Sequence, residues 1–518
     1  MDIRSKFSLR TAARVLLLAG VLVFALYLRR YTFWLPHWKG DQSHYITLAM
    51  KLDKLGFDQF NLRGVELRAL TLSLTPQGKF AFRPGIDPAG ITFIDPFLSR
   101  DTESKGHLLE SLAMTGITYY DQPFFHKPTG LPYALALSHR IFTQKNQPYV
   151  VSLANIGSDL RKLDLRVVFG IMPAPEEMRV FYSVLPAIFQ AQFWAVIVPL
   201  LFSMGLIFLT FMLGKYLFSF RTGLYAAFMM AINPVAIMSS QKIWADDMLA
   251  FFMTLAVILL AVSFKRGWYW PAFAGGLSCG VGVLAKQSSG GLLFALYYFT
   301  AFMILAGLIN AKKLSGVKEQ YPLAAKTVLF TIGVFAVSGF WFWKIYSMFG
   351  NPLWLPERGI AGAGGWSDFL SERVNPRIFF LFGAPYLCPL FIPLFLSIKR
   401  TLMEILNRIR GIKNGYFFIF FWMIILVFNY HFARGSEHRR LLPVYPLIAV
   451  ISGYYFDKFR SLDLRSNNFF RNRYVREVLI VIVFASAALW SVPRGIEPGL
   501  EDRVFIRKPV PEWVSNVF

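Results

Sequence analysis

Long, nearly charge-free apolar runs constrain this chain more than any motif does. Runs near 12–28, 184–213, 223–239, 247–264, 288–309, 324–343, 377–397, 416–432, 441–456 and 478–492 each approach the roughly 17–25 residues that a membrane-spanning helix needs. A shorter run at 270–285 is rich in glycine and other small residues, which let neighbouring helices approach closely. It counts as an eleventh span. Only 16% of the residues are charged, against about a quarter in soluble domains. The expected fold class is an all-α polytopic membrane protein with about eleven transmembrane helices.

The net charge of +24 would suit a nucleic-acid binder, but its distribution excludes that class. Segment 34–185 holds 16 Lys and Arg against 14 Asp and Glu, so the excess lies elsewhere. Loops 1–14, 214–222, 265–266, 311–326, 399–413 and 458–476 together hold 23 Lys and Arg. They alternate in the order of spans, so all fall on one side, and the positive-inside rule makes that side the cytoplasm. The basic charge is a topology signal, and no nucleic-acid partner is expected.

The first apolar run is preceded by Arg4, Lys6, Arg10 and Arg14, as in a signal peptide. It has no small-x-small cleavage site, and Arg29-Arg30-Tyr31-Thr32-Phe33-Trp34 follows it, reading as an interfacial anchor of an uncleaved span. The two cysteines, Cys279 and Cys388, sit in apolar runs and offer neither a disulfide framework nor a metal cluster. Four regions result: a first span at 1–33, a large extracytoplasmic segment at 34–185, a multi-span domain at 186–492 and a short extracytoplasmic tail at 493–518. Within 34–185, alternation over 65–74 and 79–83 around Thr75-Pro76-Gln77-Gly78 predicts a β-hairpin. Strands are added at 149–153 and 163–169, and amphipathic surface helices at 43–56 and 131–142. The segment therefore reads as a mixed α/β insertion after the first helix.

Ionisable groups at the membrane boundary are costly, so those on the extracytoplasmic side are candidates for function. Asp41 opens a helical stretch just after the first span, as a cap or as a general base. His126-Lys127-Pro128 forms a rigid cationic turn. It is either a solvated loop or a place where Lys127 holds a phosphate and His126 ligates a metal. Asp246 and Asp247 enter the fourth span side by side, more acid than capping requires. Lys286, before Gln287-Ser288-Ser289-Gly290, is either a snorkelling lysine or part of a phosphate pocket. Trp341 to Arg358 leaves the seventh span through an aromatic belt that ends in Glu357-Arg358. Arg439 and Arg440 break the positive-inside pattern, which suggests an anion between them and the site. No Walker loop, dinucleotide fingerprint or nucleophile elbow occurs.

In their order these stretches resemble the GT-C membrane glycosyltransferases, in the branch of protein O-mannosyltransferases and aminoarabinose lipid A transferases. The matches are Asp41, Lys127-Pro128, Asp247 or Asp246, Lys286, Gly350-Asn351-Pro352, and Arg440-Leu441-Leu442-Pro443 with Pro446. Gln42 stands where that branch has glutamate, His126 where the aminoarabinose enzymes often have glutamate, and Thr129 where a proline is usual. The resemblance implies a GT-C fold and transfer of a sugar from a polyprenyl-phosphate donor to a lipid, glycan or protein acceptor outside the cytoplasm. Asp41 would be the acceptor-side base, with Asp247 and Asp246 as further essential acids. Lys127, Lys286, Arg439, Arg440 and Arg358 would hold the donor phosphate. A divalent metal would sit by His126, with Glu357 as a second ligand, and no nucleotide cofactor is implied. The expected setting is the bacterial inner membrane, with membrane lipids as neighbours and the site on the periplasmic or extracellular side. A transporter or flippase of lipid-linked sugars is the competing class, against which stand the absence of an inverted repeat and of paired broken helices in the sequence. A polysaccharide polymerase or ligase would carry its large loop later in the chain.

Overall fold

In a computed structural model of the chain, the residues described are 9–30, 41–60, 64–66, 72–74, 80–82, 118–120, 127–143, 175–311, 321–350, 438–461 and 472–501. They are mostly helical. The helices are α1 (Leu9–Arg29), α2 (Asp41–Leu55), α3 (Gly130–Phe142), α4 (Pro175–Leu217), α5 (Phe220–Ala231), α6 (Pro234–Ser240), α7 (Asp246–Arg266), α8 (Trp270–Ala285), α9 (Gly290–Ala311), α10 (Tyr321–Phe349), α11 (Tyr445–Ser461) and α12 (Arg473–Glu501). Short 3-10 turns at Phe57–Gln59, Gln287–Ser289 and His438–Val444 connect them.

Among the described residues, five stretches, in α1, α4, α7, α10 and the Gln287–Leu305 run into α9, are long and apolar enough to cross a membrane. The expected spans at 377–397 and 416–432 lie outside the described residues, as do the strands expected at 149–153 and 163–169. The span expected at 223–239 is not one straight helix. It breaks between α5 and α6 with a 59° bend, because Asn233 leaves the helical region and its Oδ1 accepts from Ala236 N at 2.8 Å, capping α6, while Pro234 takes the first helical position. The Asn-Pro pair was the sequence signal for that break.

Packing follows the small residues. A Cβ on Gly276 of α8 would lie 2.1 Å from Phe330 O of α10, and one on Gly333 of α10 would lie 2.4 Å from Phe273 O of α8. The two backbones touch, as the glycine-rich run suggested. One apolar core joins α4, α5, α7, α8, α9, α10 and α11. In the 34–185 segment, β2 (Leu72–Leu74) pairs antiparallel with β3 (Phe80–Phe82), Leu72 opposite Phe82, and β1 (Gly64–Glu66) pairs with β4 (Thr118–Tyr120). Helices α2 and α3 pack on one another and on the same end of the helix layer, where Arg140 of α3 pairs with Asp53 of α2.

Candidate functional site

The start of α7 is the centre of the site. Ala245 precedes it with no side-chain cap, and Asp246 and Asp247 occupy its first turn, where the helix dipole favours negative charge. The loop before it is wound tightly, with Lys242 N donating to Ser239 O at 3.0 Å and Trp244 N to Lys242 O at 2.9 Å. Asp246 Oδ1 accepts from Lys286 Nζ at 2.8 Å. Asp247 is completely buried, and its Oδ2 accepts from Ser239 Oγ at 2.6 Å. Its Oδ1 has no hydrogen-bond partner among the described residues.

Lys286 reaches Asp246 because α8 stops there. Lys286 adopts an extended backbone, the Gln287–Ser289 turn follows, and α9 begins at Gly290. Ser289 Oγ donates to Cys279 O at 3.2 Å, pinning the turn onto α8. The Lys127 turn lies against the same helix end. Gly130, at the start of α3, faces the backbone of Leu284 and Ala285 so closely that a Cβ would lie 2.7 Å from Leu284 O. Lys127 Nζ lies 5.7 Å from the centre of the Tyr45 ring on α2.

The first turn of α2 is fastened to the α7 loop, since Ile243 N donates to Gln42 Oε1 at 3.2 Å. Beneath these links runs one apolar cluster that includes Tyr45 of α2, Leu131 of α3, Trp194 of α4, Ile243, Met248 of α7 and Ala285 of α8. It draws together the Asp41, Lys127, Asp246-Asp247 and Lys286 stretches. The end of α10 joins them, because Lys344 Nζ donates to Asp58 Oδ1 at 3.3 Å and Trp341 packs with Leu48 of α2 and Leu284 of α8. The His438–Val444 turn packs on α7 and brings Arg439 to 4.1 Å from the centre of the Trp244 ring.

Arg29 was read from the sequence as an interfacial anchor, and here it is corrected. Its neighbour Arg30 donates to Tyr27 O and lies 3.8 Å over the Tyr27 ring at the surface. Arg29 itself is completely buried. Its Nε donates to Ser203 Oγ at 3.0 Å, and its Nη1 donates to Ala25 O at 3.1 Å and Ala231 O at 3.0 Å. Lys242, also missed in the sequence, is buried against Trp244 at 4.4 Å.

His126, Glu357 and Arg358 lie outside the described residues, as do the side chains of Asp41 and Arg440. Among the described residues no three His, Cys, Asp or Glu side chains gather as a metal would require. Asp246 and Asp247 are held by Lys286 and Ser239.

Residues 174–355, from the start of α4 to beyond α10, match the family model of dolichyl-phosphate-mannose-protein mannosyltransferases. The chain resembles the GT-C membrane glycosyltransferases. The matched part contains Asp246, Asp247, Lys286 and Gly350-Asn351-Pro352. No curated protein matches the chain. Among solved GT-C structures, ArnT from Cupriavidus metallidurans bound to undecaprenyl phosphate is 12% identical. That alignment covers 95% of this chain and 76% of ArnT, with a TM-score of 0.44. The apo oligosaccharyltransferase of Archaeoglobus fulgidus is 13% identical over 93% of this chain and 56% of its own, with a TM-score of 0.47.

Proposed function

We propose that the chain is an inverting glycosyltransferase that moves a sugar from a polyprenyl-phosphate donor to a lipid, glycan or protein acceptor outside the cytoplasm. The observation that carries this reading is the gathering of separate stretches around one helix start. Lys127, Lys242, Lys286 and Arg439 gather at the end of the helix layer that holds Asp246 and Asp247, where Lys344 also pairs with Asp58. Such an excess of fixed cations beside apolar helices suits a phosphate whose lipid tail stays in the bilayer.

Lys286 holds Asp246 and still has 28% of its side chain exposed. An ammonium has three donors, so it can bind a donor phosphate without releasing Asp246. Lys127, Arg439, Arg440 and Arg358 complete the phosphate site in this reading. Asp41, at the opening of α2, takes the proton of the acceptor hydroxyl. The acceptor oxygen bonds to the anomeric carbon from the face opposite the phosphate, the carbon–phosphate-oxygen bond breaks, and polyprenyl phosphate leaves as an anion. A single displacement inverts the anomeric centre. Asp247, completely buried, supports the loop through Ser239 and does not need to touch substrate. A divalent metal, if used, belongs with His126 and Glu357, and the reading calls for no nucleotide.

The charge bias of the loops supports a multi-pass protein of the bacterial inner membrane with this region on the periplasmic or extracellular side. The test is the purified protein in proteoliposomes with a short-chain polyprenyl-phosphate sugar and crude envelope acceptors. Sugar appearing on an acceptor with inverted anomeric configuration supports the reading. Translocation of the lipid-linked sugar without transfer would replace it with the flippase.

A further inference from the structure

The turn between α7 and α8 lies at the opposite end of α7 from Asp246, about 30 Å away along a 21-residue helix. Its sequence, Lys265-Arg266-Gly267-Trp268-Tyr269-Trp270, holds two cations, three aromatic rings and no acid. The turn is tightly built. Gly267 takes a φ of 76°, the left-handed C-terminal cap that favours glycine. Ser263 Oγ donates to Trp268 O at 2.6 Å, and Lys326 Nζ of α10 donates to Ser263 O at 2.9 Å. Lys326 is buried, with its Nζ 5.7 Å from the Phe264 ring centre and 5.6 Å from that of Tyr269. A helix C-terminus carries about half a negative charge, and Lys326 already donates to a carbonyl there. Lys265 and Arg266, both exposed, exceed that need. Lys265 Nζ reaches Tyr216 O at 3.4 Å, and the Arg266 guanidinium lies 4.8 Å over the Trp268 ring. Neither has a carboxylate partner among the described residues. Trp268, Tyr269 and Trp270 are 45%, 45% and 60% exposed, and the two indole centres lie 6.3 Å apart. Exposed aromatic rings at the end of an apolar helix fit the headgroup boundary of a bilayer, where one part of the ring is wet and the rest is not.

We propose that the α7–α8 turn binds the headgroup of an anionic phospholipid on the membrane face opposite the Asp246 site. Lys265 and Arg266 take the headgroup phosphate, and Trp268 and Trp270 lie against the glycerol and the upper acyl chains. Lys326 fixes the turn from within. Charge complementarity commits the surface to an acidic lipid, since basic pockets between helices on the cytoplasmic side take such headgroups. The bias of the loop charges assigns this end of α7 to that side. The inference does not rest on the transferase reading, because neither donor nor acceptor enters it.

The experiment adds dioleoylphosphatidylglycerol to delipidated full-length protein in detergent micelles and counts bound lipid by native mass spectrometry. Dioleoylphosphatidylethanolamine is the zwitterionic comparison. Wild type is expected to bind the anionic lipid at least about ten-fold more tightly than the zwitterionic one. Lys265→Gln combined with Arg266→Gln should weaken the anionic lipid roughly thirty-fold, the loss of two basic contacts at a membrane surface. Both positions are exposed, so this variant is expected to fold. The charge-preserving exchange Lys265→Arg with Arg266→Lys should stay within about three-fold of wild type, because the attraction follows charge. Arg30→Gln, at the end of α1, should change nothing. Equal binding of the two lipids by wild type would overturn the inference and leave the turn to an acidic protein segment. Unchanged anionic-lipid binding in the double glutamine variant would overturn it as well. Displacement of the lipid by inorganic phosphate at equal concentration would do the same, by making this a site for a free anion.

Discussion

Asp246 Oδ1 lies 2.8 Å from Lys286 Nζ, and this ion pair ties the first turn of α7 to the turn between α8 and α9. The acid is almost wholly buried and the lysine is partly open. Removing one partner of such a pair leaves a poorly solvated charge, which costs up to about 3–5 kcal/mol when both are buried. Because Lys286 is partly exposed, about 1–3 kcal/mol is expected for Asp246→Asn or Lys286→Met. The double variant should recover much of that stability and none of the transfer activity. Thermal unfolding in detergent and a transfer assay on the same preparations check both halves.

Arg29 gives a second prediction. Arg29→Leu removes the donor from three buried acceptors, Ser203 Oγ, Ala25 O and Ala231 O. A loss of about 1–3 kcal/mol is expected, seen as poor folding yield. Arg30→Gln, at the surface, should stay within about 0.5 kcal/mol. Equal effects at the two positions would refute the inward role of Arg29.

Much of the site was legible because helix starts and stops leave local signals. Asp41 opens α2 and Lys286 ends α8, both at boundaries the sequence had marked. Other features leave no local mark. Arg29 and Arg30 are identical as letters, and only the rotation of α1 sends one inward and the other to the surface. The link of Trp244 to Arg439 depends on two distant segments meeting. Gly130 reads in sequence as a turn residue, whereas its lack of a side chain is needed for contact with the end of α8.

That contact yields a charge-neutral test. Gly130→Ala places a methyl group 2.7 Å from backbone atoms of Leu284, which cannot yield as a flexible side chain would. Overpacking of this kind costs about 1–3 kcal/mol and should displace the Lys127 turn from Lys286. Transfer is expected to fall at least ten-fold, against no change for Gly20→Ala, where a Cβ meets nothing within 4 Å. Steady-state rates at saturating donor distinguish the two.

Gln42 stands where the related branch has glutamate, and its Oε1 accepts from Ile243 N. A carboxylate can accept the same bond, so Gln42→Glu should retain transfer within a few-fold. Gln42→Leu leaves a buried N–H unpaired, at about 1–3 kcal/mol, and should raise donor KM by loosening the loop that carries Trp244. Similar kinetics in both variants would show that the bond does not hold the loop.

The most direct measurement compares wild type with Asp41→Asn in sugar transfer from a short-chain polyprenyl-phosphate sugar, using purified full-length protein and envelope acceptors. The account predicts transfer by wild type and a fall of about 100-fold or more in Asp41→Asn, the scale of a lost general base, with donor binding retained. Transfer by Asp41→Asn at the wild-type rate, or no transfer by wild type while the donor crosses the bilayer, would contradict it.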